Sequence, residues 1–207
     1  MPKTVTAAKP RTAGVIYRAP LGTALPTSAT STLAAAYVTL GKLSEDGFSN
    51  NYERSSEDIK EMGGNVVLTV QTETSDSFKF TLLDALDPNA LKATYGDTKV
   101  TGTLDTGIEV TVDGSEPEEA VWVFDTIMRD GALQRTVIPD GKVSEMDEVV
   151  YKRDAAVGYG LTIKALLDET AGFNHKTYIA KPASSGVSGV SGTSGVSGIS
   201  GTSGTGN

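Results

Sequence analysis

Cysteine is absent from the 207 residues, which removes disulfides, thiolate nucleophiles and cysteine-based metal sites together. Stability must come from packing or from assembly. Histidine occurs once, at His175, so a Ser-His-Asp triad has one candidate base and a multi-histidine metal site has none. Its neighbours Asn174, Lys176 and Tyr178 read as a structural or surface setting. Aromatic residues make up 6% of the chain and hydrophobic residues 38%, with a mean hydropathy of −0.15, so the core is modest and aliphatic. No apolar run approaches the roughly 20 residues a membrane-crossing helix needs. The first residues lack the apolar stretch of a secretory signal, and synthesis in a cytoplasm is expected. A phosphate-cradling glycine loop closing on Gly-Lys-Ser/Thr is missing, and Gly158-Tyr159-Gly160 alone is too short to suggest a dinucleotide site. No enzyme activity, cofactor or metal is expected.

Charge is missing in two places. Residues 1–20 hold Lys3, Lys9, Arg11 and Arg18 and no acid, and residues 182–207 hold no charge. With those four bases set aside, fourteen bases face 26 acids across residues 21–181, a net of −12. A basic segment thus precedes an acidic body. Such a body repels phosphate and is a poor nucleic-acid binder. In a homopolymer, however, the cationic segment of one copy can lie on the acidic surface of the next.

What is present is mostly β pattern. Pro2, Pro10, Pro20 and Pro26 block helix and central strand alike, so residues 1–30 are expected as an extended N-terminal arm whose removal, residues 1–26, leaves a folded monomer. Residues 32–40 read as a first strand. Residues 41–63 show no sustained period and are expected as a long inter-strand loop. Val66, Leu68 and Val70 then alternate with Val67, Thr69 and Gln71, and Phe78, Phe80 and Leu82 repeat the pattern. Asp87-Pro88 starts a short helix over residues 87–95, the Asp as cap and the Pro at the first position, and Gly96 stops it.

Further strands are expected at 99–104 and 108–112 as a hairpin, then 120–129, 133–138, 142–151 and 157–167, with turns at Asp130-Gly131 and Asp140-Gly141. Trp122 and Phe124 share a strand face and read as core. The fold class is therefore mainly β, an antiparallel sandwich or barrel with one flanking helix, spanning residues 31–181. Residues 182–207 form a Gly/Ser-rich tail with glycine at every third position from Gly186 to Gly204. Without proline it is not collagen-like, and as a flexible coil it spans roughly 30 Å. The carboxylates Asp113, Glu116, Glu118 and Glu119, and the set Glu45, Asp46, Glu57 and Asp58, match no calcium-loop spacing and read as solvated loops.

Several of these segments resemble one family. Leu40-Gly41-Lys42-Leu43-Ser44-Glu45-Asp46-Gly47, Gly63-Gly64-Asn65-Val66-Val67, Phe78-Lys79-Phe80-Thr81-Leu82-Leu83 and Tyr95-Gly96 follow, in that order, the parts of the tail tube protein of long non-contractile-tailed bacteriophages. Val121-Trp122-Val123-Phe124-Asp125, Val137-Ile138-Pro139-Asp140-Gly141-Lys142-Val143-Ser144-Glu145 and Gly158-Tyr159-Gly160-Leu161-Thr162 continue the likeness, which covers about residues 30–180. Met62 stands where relatives often place an aromatic, and the glycine-triplet tail lies outside the shared pattern.

The resemblance implies a virion tail protein that polymerises with itself into stacked hexameric rings. It further implies tape-measure, terminator and distal tail proteins as partners, transient passage of double-stranded DNA without specific binding, and no membrane. The implied ring-to-ring contacts are the arm and the long loop: Lys3, Lys9, Arg11, Arg18, Glu45, Asp46, Phe48, Tyr52, Arg54, Ile59 and Met62. An acidic lumen lets DNA slide without sticking, and Glu73, Asp76, Asp105, Glu109, Glu145 and Glu148 are the candidate lining or surface acids. The competing expectation is a virion-displayed or secreted β-sandwich binding module with a flexible Gly/Ser linker. The missing Cys-Trp-Cys pattern weighs against it, and oligomeric state separates the two.

Overall fold

The computed structural model describes residues 5–11, 14–129 and 131–181, so Lys3 and the Gly/Ser tail lie outside the described residues. Among the described residues the chain is mainly antiparallel β with one α-helix. Eleven strands run β1 (Ala8–Pro10), β2 (Ile16–Pro20), β3 (Val38–Thr39), β4 (Leu43–Lys60), β5 (Val66–Leu82), β6 (Val100–Thr103), β7 (Gly107–Val110), β8 (Ala120–Met128), β9 (Leu133–Met146), β10 (Tyr159–Ala165) and β11 (Lys176–Ala180), and helix α1 is Pro88–Tyr95. Nine of them form one sheet in the order β3-β2-β8-β9-β10-β5-β4, with β1 added to β8 and β11 to β9. β6 and β7 make a separate hairpin.

The sheet curls. β8 stands three places from β5 and four from β4 in strand order, yet Phe124 lies 5.4 Å from Phe78, 5.6 Å from Phe80 and 4.7 Å from Phe48 between ring centres. Closing the sheet over itself buries its apolar residues on the inside: Ile16, Leu40, Phe78, Phe80, Leu82, Trp122, Phe124, Ile138, Leu161 and Ile163 form one cluster. The other face of β8 and β9 supplies Val121, Val123 and Val137 to a second cluster covered by Tyr37, Leu25 and Leu33 from the segment between β2 and β3. Helix α1 seats Leu91 beside Val100 and Tyr159. Its start follows the sequence logic, with Asp87 Oδ1 accepting from the Asn89 amide at 2.9 Å.

Three expectations are corrected. The segment read as an N-terminal arm belongs to the sheet: β1 pairs with the end of β8, β2 pairs with β8 through five residues, and Ile16 and Ala19 are buried. Pro20 is tolerated because it ends the strand. Removing residues 1–26 would therefore excise core, not a tether. The stretch read as a long loop is β4, eighteen residues paired along β5. The expected strand at 32–40 is reduced to Val38–Thr39.

The expected turn at Asp140-Gly141 is likewise absent, because β9 runs unbroken through it. Gly141 is needed for close approach instead: a Cβ there would sit 2.6 Å from Trp122 Cδ1. Its carbonyl accepts from the buried Trp122 Nε1 at 3.0 Å.

Candidate functional site

Every residue from 49 to 74 is exposed, so β4 and β5 leave the body as a bare two-stranded ribbon. Past the Tyr52–Asp76 pair the ribbon extends about ten residues, roughly 30 Å at strand rise. Its tip closes through Gly64 at a φ of +86°, with the Gly64 amide donating to the Glu61 carbonyl at 2.8 Å and Asn65 Nδ2 to Glu61 Oε1 at 2.6 Å. An isolated two-stranded hairpin is only marginally stable in water. This one also exposes Ile59, Met62, Val66, Val67, Leu68 and Val70.

Pairing decides which face each residue takes, since directly opposed residues share a face. β4 alternates from Phe48, which packs on the core, so Tyr52, Arg54 and Asp58 lie on the core side and Glu53, Glu57 and Ile59 on the far side. Register shifts between Ser55 and Ser56 and between Ile59 and Lys60 each consume an extra residue of β5. Leu68 consequently opposes Ile59, and Val70 opposes Glu57, on the side away from the core. Val66 opposes Lys60 on the other side.

The root of the ribbon is clamped. Asp76, buried at 1% exposure, accepts from Asn50 Nδ2 at 2.8 Å and meets His175 Nδ1 at 2.5 Å, while the His175 ring stands edge-on to Phe78 at 5.2 Å. The only histidine thus serves to anchor the hairpin. Across the root, Asp84 Oδ2 accepts from the Lys42 amide at 3.1 Å. Gly41 has a φ of +83°, and a Cβ on it would fall 2.0 Å from that same oxygen. Gly41→Ala combines left-handed strain with displacement of Asp84, and is expected to lower unfolding free energy by about 1–3 kcal/mol in urea titration. An unchanged midpoint would show that the root adapts freely.

The remaining expected interface residues separate. Lys9 is exposed on β1. Arg11 Nη1 donates to Asp125 Oδ2 at 2.8 Å. Glu45 and Asp46 are exposed at the start of β4, Tyr52 and Arg54 stack on each other at 4.9 Å on the ribbon, and Phe48 is half-buried against Phe124. Arg18 drops out, being buried, paired with Asp97 at 2.6 Å and lying over the Trp122 ring. Asp76 likewise drops out of the lining acids because it is buried. Glu73, Asp105, Glu109, Glu145 and Glu148 are exposed, on β5, the β6–β7 turn, β7, β9 and the segment after β9. They do not gather into one patch, and the sheet face of Glu145 also carries Lys79, Lys142 and Lys164.

The acidic loop residues are engaged in the body. Asp113 pairs with Lys99 and Ser115, which holds its carboxyl well below the usual range, and the hydrogen bond from Lys142 lowers that of Glu116. Glu118 accepts from the Asp97 amide at 3.0 Å. Asp140 goes the other way: burial first, then the charges of Glu119 and Asp168, push its carboxyl up, and its buried Oδ1 has no hydrogen-bond partner among the described residues. A raised folded pKa means the folded chain binds more protons than the unfolded chain, so stability falls as pH rises from about 4 through the raised value. Asp140→Asn is therefore expected to raise the melting temperature at pH 7 and to gain less at pH 4. Equal gains at both values would assign the effect to something other than charge.

The described residues thus form a curled antiparallel sheet from which a ribbon exposed on both faces projects. The chain belongs to the phage tail tube protein family, whose profile matches residues 5–186. It is a structural component of the virion tail and not an enzyme. Among solved structures, the cap that terminates the anti-feeding prophage tube aligns over 87% of this chain and 100% of its own, at 10% identity and a TM-score of 0.42. No curated protein matches. No helix among the described residues is long and apolar enough to cross a membrane.

Proposed function

We propose that the chain polymerises into stacked rings, hexameric as its family resemblance implies, whose channel carries the genome past tape-measure, terminator and distal tail proteins. The observation that supports this reading is the β4–β5 ribbon. Its length, its exposure on both faces and the apolar side chains Ile59, Leu68 and Val70 make no sense in a lone subunit, where they are an aggregation hazard. Seated on a neighbouring copy they become an interface, and a heterologous contact of this kind generates an open-ended stack.

The outer edges of β4 and β11 have no strand partner among the described residues, which leaves each free to pair laterally with a neighbour. The test is negative-stain electron microscopy across a concentration series, with sedimentation velocity. Hollow tubes or rings are expected, and a strictly monomeric species at every concentration, including with purified tail-tip complexes as initiators, would overturn the reading.

A further inference from the structure

Resting on that polymer reading, we propose that the edge of β8 at residues 126–128 is an exchangeable strand slot. In the free subunit it holds the chain's own β1, and in the tube it holds β1 of a second copy. The cis contact is then a brake on assembly.

The two N-terminal strands sit on the same edge of β8 but are held very differently. β2 inserts Ile16 and Ala19 into the two apolar clusters. Residues 5–10 are all exposed, so β1 buries no apolar side chain at all. Three register pairs hold it, Ala8 with Met128, Lys9 with Ile127 and Pro10 with Thr126, and Pro10 has no N–H to give. The Arg129 amide adds bonds to the Ala7 carbonyl at 2.9 Å and Thr6 Oγ1 at 3.0 Å, and Arg11 adds its ion pair with Asp125. All of these are backbone, hydroxyl or charge contacts, and an identical strand from a neighbour reproduces each one. Exchange therefore exposes no core and forfeits no bond type.

The slot also survives being emptied. Asp125 is buried at 2% exposure, and Arg135 grips both of its oxygens, Nε to Oδ1 at 2.6 Å and Nη2 to Oδ2 at 2.7 Å. When Arg11 leaves, the carboxylate keeps a bidentate partner, and no bare buried charge is created. Arg135 is itself fixed from outside the slot, its Nη1 donating to the Ser31 carbonyl at 2.6 Å and the Ser28 carbonyl at 3.2 Å. The receiving site thus stays formed with or without an occupant. Charge complementarity is kept on exchange, because Arg11 meets the neighbour's Asp125 as it meets its own.

The chain has no native cysteine, so any disulfide reports only the pair introduced. Lys9→Cys with Ile127→Cys joins directly opposed residues at ladder spacing, within disulfide reach. Ala8→Cys with Met128→Cys provides a second pair in case the first disturbs folding. Chains assembled under reducing conditions, oxidised as tubes and run on a denaturing non-reducing gel are expected to give a ladder of covalent multimers. The dilute chain is expected to give internally closed monomers. Oxidation before assembly should cut tube yield at least tenfold, and dithiothreitol should restore it.

Tubes whose chains carry only internal disulfides would overturn exchange and leave the polymer reading standing. Failure of the unmodified chain to form tubes with initiators present would overturn both. Cross-linked dimers from an equal mixture of the two single-cysteine chains, formed only in tubes, would support exchange independently.

Discussion

Asp125→Ala is expected to cost the fold about 3–5 kcal/mol, read as a large downward shift of the urea midpoint. The carboxylate lies between Arg11 and Arg135, and Arg135 is almost fully buried. Removing the acid leaves a buried guanidinium with only the Ser28 and Ser31 oxygens as partners, at the place where the segment between β2 and β3 closes over the second apolar cluster. Against a total stability of about 5–15 kcal/mol, the loss takes a large share. Arg11→Ala is the control. Its side chain is 30% exposed and Asp125 retains Arg135, so about 1 kcal/mol or less is expected. Equal costs for the two substitutions would show that Asp125 acts through the N-terminal segment rather than through Arg135.

The second large effect falls on assembly and leaves the fold alone. Leu68→Asp combined with Val70→Asp places two charges on the ribbon face that also holds Ile59. In the monomer both positions face water, so melting is expected to change by no more than about 0.5 kcal/mol equivalent. In the proposed tube, each side chain is expected to contribute about 1.5–3 kcal/mol of burial, and losing both, about 4 kcal/mol, to raise the concentration needed for polymerisation by about 10³. Sedimentation velocity gives that concentration and electron microscopy the product. Thr69→Asp, on the opposite face beside Asp58, is expected to do much less. Tubes from the double variant at ordinary concentration would exclude this face from the interface.

How much of this was legible beforehand varies by element for identifiable reasons. Helix α1 was readable to within a residue because Asp87-Pro88 and Gly96 act locally, through a side-chain cap, a fixed φ and a permitted φ of +109°. The hairpin of β6 and β7 was readable from its turn. β4 was not, because period-2 alternation reports burial of one face, and a strand with water on both sides carries no such period. β2 was hidden for the opposite reason: its flanking prolines signal an exposed arm, while Ile16 and Ala19 meet partners on β8 more than a hundred residues away in sequence. Arg18 and Asp76 looked like surface charges and are buried, since Asp97 and His175 neutralise or hydrogen-bond them only once the chain has folded.

By itself, then, the sequence determined the class of fold, the position of the helix, and the charge division between a basic beginning and an acidic body. These follow from composition and from interactions between residues close along the chain. The tertiary structure alone decided that the supposed loop is a projecting ribbon, and that the bulge on β5 between Gln71 and Glu73 turns Leu68 and Val70 to the side away from the core. It also decided that the N-terminal segment divides into a buried strand and a surface strand. Each depends on which strand pairs with which and in what register, and pairing energy comes from residues far apart in sequence, where no local pattern records it.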